Sequence, residues 1–170
     1  MSKTDNQSLG ITLGYQYLDT KDLEVVDAIK KGIAGTVSAS NGTFKPLTEN
    51  EYGGLWFRSK HTGTIRLEYT NPEYDFSFNI RAQMIGRFGD EALDNNGPVI
   101  SNRKVPDLDN EYIQGYTIIN AAMSKEFDIS DKQSTLMISI GINNALNSMN
   151  LQFIPNMIGR QLFVNSSITL

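Results

Sequence analysis

The side chains that could do chemistry in this sequence are few. His61 is the only histidine among 170 residues and there is no cysteine. No Ser–His–Asp or Cys–His set presents itself, so the reading is of a chain that is not an enzyme. Asp107, Asp109 and Glu111 are close enough in sequence to offer oxygen ligands to calcium. They lack the glycine and downstream Glu of an EF-hand loop and read as solvated loop acids rather than as calcium ligands. Gly53-Gly54 has no strand-to-helix setting in which to cradle phosphate. What recurs is positive charge at alternate positions, in Arg58, Lys60 and Arg66 and again in Arg81 and Arg87. Residues two apart in a strand share a face, so these side chains read as one hydrated wall able to contact an anionic ligand. No cofactor and no metal ion is implied.

Composition bounds the class. A formal charge of −4 gives no basic footprint, which argues against a nucleic-acid partner. Without cysteine there is neither a disulfide framework nor a thiolate metal site. No run reaches about 18 apolar residues and no apolar signal region follows Met1, so neither a membrane helix nor a secretory address is visible. The negative mean hydropathy of −0.31 leaves membrane strands possible, because alternation hides their apolar residues.

The elements that must position these residues are strands. Ser8 to Leu18 sets Leu9, Ile11, Leu13, Tyr15 and Tyr17 against Thr12, Gly14 and Gln16. A second alternation runs from Leu55 to Thr70, with His61 on its apolar parity and Arg58, Lys60, Arg66 and Glu68 on its polar one. There His61 reads as an interfacial residue rather than a metal ligand. Asp75 to Phe88 sets Phe76, Phe78, Ile80, Ala82, Met84 and Phe88 against Ser77, Asn79, Arg81, Gln83 and Arg87. In Tyr112 to Phe127 the faces are less distinct, with Thr117, Ile119, Ala121 and Met123 assigned outward, opposite Gln114, Tyr116, Ile118 and Asn120. Ser134 to Asn143 is clean again, with Leu136, Ile138, Ile140 and Ile142 on one face. The last, Gly159 to Leu170, places Leu162, Val164, Ser166, Ile168 and Leu170 together, with Phe163 the exception among Gln161, Asn165, Ser167 and Thr169.

The fold class is therefore all-β, an antiparallel up-and-down meander of about six strands. Its connections alternate in length. Asn71 to Tyr74 and Asp128 to Gln133 are short, whereas Asp19 to Gly54, Gly89 to Glu111 and Ala145 to Ile158 are long. The first long one holds helical spacing at Leu23, Val26, Ala28 and Ile29, between Lys21 and Lys31. Tight turns at one end and long loops at the other are the habit of outer-membrane barrels, whose strands cross in about 9–11 residues. Alternation alone does not separate lipid from a dry core, so a soluble sandwich or small barrel holding an apolar ligand is the alternative.

A resemblance adds to this. The runs GLWFRSKHTGTIRLEY and ISIGINNALNSMNLQFIPNMIGRQLFV, with the apolar last strand, resemble the C-terminal end of TonB-dependent outer-membrane receptors. Arg58-Ser59-Lys60-His61 matches a segment that opens a late barrel strand there. Gly141 to Asn147 matches the end of the penultimate strand, and Pro155 with Gly159-Arg160 the lead into the last. The resemblance implies the last strands of a transmembrane barrel of about 22 strands, spanning residues 8–170 here. Such a barrel lies in the outer membrane of a Gram-negative bacterium and imports a scarce ligand such as a ferric siderophore, haem or cobalamin. Its partners would be outer-membrane lipid, the rest of the barrel and its plug, and TonB through an upstream region. Residues 1–7 resemble none of these parts and are expected to be a disordered or truncated end. The barrel-assembly machinery would read Leu162, Val164, Ser166, Ile168 and Leu170, although Leu170 replaces the usual terminal aromatic and Ser166 interrupts the apolar spacing. Arg58, Lys60, Arg66, Arg81 and Arg87 would line the lumen.

Overall fold

The structure, a computed structural model, describes residues 7–38, 40–90, 97–100, 103–106, 112–129, 134–149, 154 and 157–169. Its elements in chain order are β1 (Ser8–Tyr17), α1 (Leu23–Lys30), β2 (Gly35–Val37), β3 (Phe44–Pro46), β4 (His61–Asn71), β5 (Phe76–Ile85) and β6 (Phe88–Gly89). They continue with β7 (Val99–Ile100), β8 (Arg103–Lys104), β9 (Tyr112–Ile113), β10 (Tyr116–Ile129), β11 (Ser134–Asn143) and β12 (Gln161–Thr169). The chain divides into two compact units.

The first unit is built on a six-stranded sheet in the order β1-β4-β5-β10-β11-β12, a meander with β1 and β12 as its edges. The sheet is open and does not close into a barrel. Register follows the two-residue period: Met123 faces Ile140, which faces Val164 on its other side, and Phe127, Leu136 and Ile168 align in the same way. Ala121 and Met123 share a face with Ile142 and Ile140 in this pairing. The β4–β5 turn is fixed by Asn71, whose buried side-chain oxygen accepts the Glu73 and Tyr74 amides at 3.1 and 3.4 Å. An Asx turn of this kind gives the backbone its partners without further loop residues.

Three of the alternating stretches are interrupted. Leu55 to Lys60 is turn and bend rather than strand, since Phe57 stands at φ 57° and Gly54 at φ +94°, and β4 begins only at His61. Alternation persists there without strand geometry because left-handed residues cannot continue a pleat. Phe88 leaves β5 to pair with Ile113 in the two-stranded β6–β9 sheet. Tyr112 is thereby separated from β10 by Gln114 and Gly115.

The second unit is formed by long connections. A four-stranded sheet, β3-β2-β7-β8, joins segments distant in sequence through the Gly35–Val99 pair. Helix α1 opens with Asp22, whose carboxylate accepts the Glu24 amide at 2.9 Å. It closes in a Schellman motif, Gly32 at φ +67° with the Ile33 amide on the Ala28 carbonyl and the Gly32 amide on that of Ile29. Its buried stripe is Val25, Ala28 and Ile29, while Leu23 is exposed, so the helical spacing read from the sequence is right and its centre is shifted. Those side chains pack with Ala34, Leu47, Tyr52 and Val105 into a core. Inside it Tyr52 accepts the Asp22 amide at 3.0 Å, and burial pushes its phenol above the ordinary value.

Candidate functional site

The six-stranded sheet presents two faces of opposite chemistry. One collects Leu9, Ile11 and Leu13 of β1, Ile65 of β4, Met84 of β5, Met123 of β10, Ile138 and Ile140 of β11, and Leu162, Val164 and Ile168 of β12, and all of these are exposed. Leu13 is 71% exposed, Val164 73% and Leu162 80%. Among the described residues, no buried apolar side chain belongs to any of these six strands. Within this unit the described residues enclose no interior on this face. Its centre holds a shallow hollow of about 420 Å³ between Phe78, Ala121, Met123, Ile140, Ile142 and Leu162.

Aromatic side chains mark both ends of this face. At the short-turn end the Tyr69 and Phe76 rings are 6.4 Å apart, and the Lys125 ammonium lies 5.7 Å from the ring centre of Phe127. Lys125 stands opposite Ile138, so its apolar stem lies on the apolar face while its ammonium reaches the Phe127 ring. At the other end of β1 and β4 the Tyr17 ring is 5.3 Å from that of His61. His61 is therefore placed in an aromatic pair at a strand end. Among the described residues no three His, Cys, Asp or Glu side chains come together. Asp107, Asp109 and Glu111 lie outside the described residues.

The opposite face is polar. Arg66 and Glu68 of β4 form an ion pair at 2.6 Å, Ser124 and Ser139 share a hydrogen bond of 2.8 Å, and Thr62 donates to Gln16 at 3.4 Å. Of the basic residues expected here, Arg66 and Arg81 stand on sheet strands. The other three do not. Arg58 is exposed in the bend before β4, and Lys60 pairs with Asp19 at 3.2 Å. Arg87 lies over the Tyr112 ring at 5.4 Å, between β5 and β6. The single basic wall expected from alternation is therefore split, because the backbone leaves the pleat at Phe57 and after Ile85. Toward the short turns the polar face becomes acidic, in a hollow of about 250 Å³ lined by Thr70, Asp75, Ser77, Ser124 and Glu126.

On the last strand, Leu162 and Ile168 stand opposite Ile142 and Leu136 on the apolar face, and Ser166 stands opposite Ile138. Leu170 and Pro155 lie outside the described residues, as do residues 1–6. Phe163, the apolar residue on the polar parity, pairs with Gly141, and a Cβ at Gly141 would run into the Phe163 ring. The ring covers a glycine that has no side chain of its own, a cross-strand device that protects the ladder.

Comparison of the chain with protein-family models, with curated proteins and with solved structures finds no match.

The site residues that alternation does not reveal are in the link between β11 and β12. Asn144, buried at φ 49°, donates to the Ser148 and Ile158 carbonyls and accepts the Ser148 amide, each at 2.9 Å. The side-chain oxygen of Asn147 accepts the Arg160 amide at 2.9 Å. These two asparagines tie the end of β11 to the entry of β12. The cue in the sequence is asparagine itself, which tolerates the left-handed region and bonds to nearby backbone.

Proposed function

We propose that this chain is the C-terminal part of the barrel of a TonB-dependent outer-membrane receptor, its apolar face toward lipid and its polar face toward the lumen. The observation that carries the reading is the uncovered apolar face, continuous over six consecutive meander strands and bordered by aromatic residues at both ends. In water such a surface is an aggregation hazard, since exposed apolar patches beyond a few hundred Å² are rare on soluble monomers. In a bilayer it is the required surface. Strands of about 10 residues fit a tilted crossing of the hydrocarbon, and β1, β5 and β11 are each 10 residues long.

On this reading the remaining strands of a barrel of about 22, the plug and the TonB-contacting segment come from elsewhere in the receptor. The imported ligand, of the ferric siderophore, haem or cobalamin class, meets the polar face. The test is detergent dependence. The chain is expected to stay dispersed and β-structured only in detergent or lipid, and to fractionate with the outer membrane when exported in a Gram-negative host. A dispersed monomer in plain buffer, melting cooperatively, would overturn the reading.

A further inference from the structure

The polar face holds an arrangement of charge that a hydrated wall does not need. In the β4–β5 hairpin the Gly86 amide donates to the His61 carbonyl at 2.8 Å, and Gly63 lies against Met84. At the other end the turn joins Asn71 to Phe76. One unshifted antiparallel register connects these points, and it sets Arg66 directly opposite Arg81. Directly opposed residues share a face, with Cβ atoms about 4.5–5.5 Å apart, and like charges so placed destabilise the pair.

Only half of this charge is answered. Glu68 pairs with Arg66 at 2.6 Å, whereas exposed Arg81 has no acidic partner among the described residues. Asn79 and Gln83 flank Arg81 along β5 without charge. Acid on this face lies nearer the short turns, at Asp75 and Glu126 beside the small polar hollow.

We infer that Arg66 and Arg81 form a fork for one oxyanion, a carboxylate or phosphate group of a small ligand. The inference rests on the proposal that this face lines a lumen. A guanidinium is planar and offers paired N–H donors matched to the two oxygens of a carboxylate or phosphate. An anion between the two arginines turns a repulsive pair into charge-assisted hydrogen bonds on both. The acidic end of the same face repels that anion, so a ligand arriving from the long-connection end is held midway along the strands.

The experiment titrates the full chain, in dodecyl maltoside at low salt, with inorganic phosphate and separately with succinate, following arginine Nε signals by NMR. Saturable shifts of two arginine signals are expected. Arg66→Gln and Arg81→Gln are each expected to weaken binding by about tenfold or more, Arg81→Lys by less, as a point charge replaces a fork. Lys125→Gln, on the other face of the same sheet, is expected to change it by less than about twofold, beyond general screening. Arg81→Gln relieves repulsion, so an unchanged far-UV circular dichroism spectrum separates lost binding from lost fold. Shifts that do not saturate, or a Lys125→Gln variant weakened as much as Arg81→Gln, would overturn the fork. Saturable binding by a chain that disperses without detergent would keep the fork and remove the membrane reading. A detergent-dependent chain without saturable binding would remove the fork alone.

Discussion

Placing arginine along β11 separates a lipid-facing surface from one that is merely uncovered. At about 3.4 Å per residue the ten residues of β11 extend about 34 Å, which a tilt near 45° reduces to about 24 Å across the membrane. That matches an apolar band about 25 Å tall. Ile140 lies about 4 Å from the middle of the strand on this scale and Ile142 about 8 Å. Ile140 is 43% exposed, between Met123 and Val164. If the face meets acyl chains, Ile140→Arg costs about 2–4 kcal/mol, whereas Ile142→Arg costs about 1 kcal/mol or less as the side chain approaches the headgroups. If the face meets water, an arginine replacing a partly exposed isoleucine changes stability by about 0.5 kcal/mol and shows no dependence on depth. Ser139→Arg, on the polar face, is the control and is expected to cost about 1 kcal/mol, through the lost Ser124 hydrogen bond. The assay is urea unfolding in lipid vesicles, read by circular dichroism and by heat-sensitive gel mobility. An Ile140→Arg cost within about 0.5 kcal/mol of zero, or a Ser139→Arg cost equal to it, would refute the assignment of faces.

Other outcomes follow from the local geometry. Asn144→Ala removes three side-chain hydrogen bonds from a buried site and leaves an L residue at positive φ, for a loss of about 3 kcal/mol in urea unfolding. Asn144→Gly relieves the backbone and is expected to recover about 1 kcal/mol of it, and equal losses would exclude strain as a contributor. Gly141→Ala puts a Cβ into the Phe163 ring and within 2.8 Å of the Ala121 carbonyl, and is expected to cost about 1–3 kcal/mol, of which only the ring's share is absent in a Phe163→Ala background. An additive double-mutant cycle would show that the ring does not cover the glycine. In the second unit, burial raises the Tyr52 phenol, so the unfolded chain loses that proton first as pH rises through about 10. Above that value the unfolded state binds fewer protons and the unit loses stability. Tyr52→Phe is expected to flatten that alkaline slope while lowering the free energy of urea unfolding by about 1 kcal/mol through the unpartnered Asp22 amide, measured by Trp56 fluorescence.

The sheet was legible in the sequence because a period of two is a direct imprint of the pleat, and each of the six alternating stretches contains a strand of the main sheet. What alternation does not encode is backbone handedness. Leu55 to Lys60 keeps the rhythm of β4 while Phe57 turns left-handed, so Arg58 and Lys60 fall outside the strand that their spacing suggests. The second unit was legible only as a helical turn. Its core draws Val25, Leu47 and Val105 from three separate segments, and pairings such as Gly35 with Val99 leave no periodic trace in strands of two or three residues. The Arg66–Arg81 opposition needs the hairpin register. That register is set by the Asn71 turn rather than by either strand alone.

The division of apolar residues between the two units carries one further consequence. The second unit buries its Val, Leu and Ile side chains around Val105, which is 0% exposed, and so holds a hydrophobic core from its own residues. The six-stranded sheet spends its apolar residues on a face that nothing among the described residues covers, and its edges β1 and β12 each have a single neighbour. Lipid satisfies the face but not the edges. In hydrocarbon each unpaired N–H or C=O costs several kcal/mol, so an exposed edge of about ten residues is excluded from a bilayer. The membrane reading therefore entails further strands paired to β1 and β12. Without them the sheet is expected to pair edge to edge with further copies, as discrete oligomers that stay dispersed in a micelle or bilayer, and added strands from the same barrel should replace those copies and lower the oligomeric state.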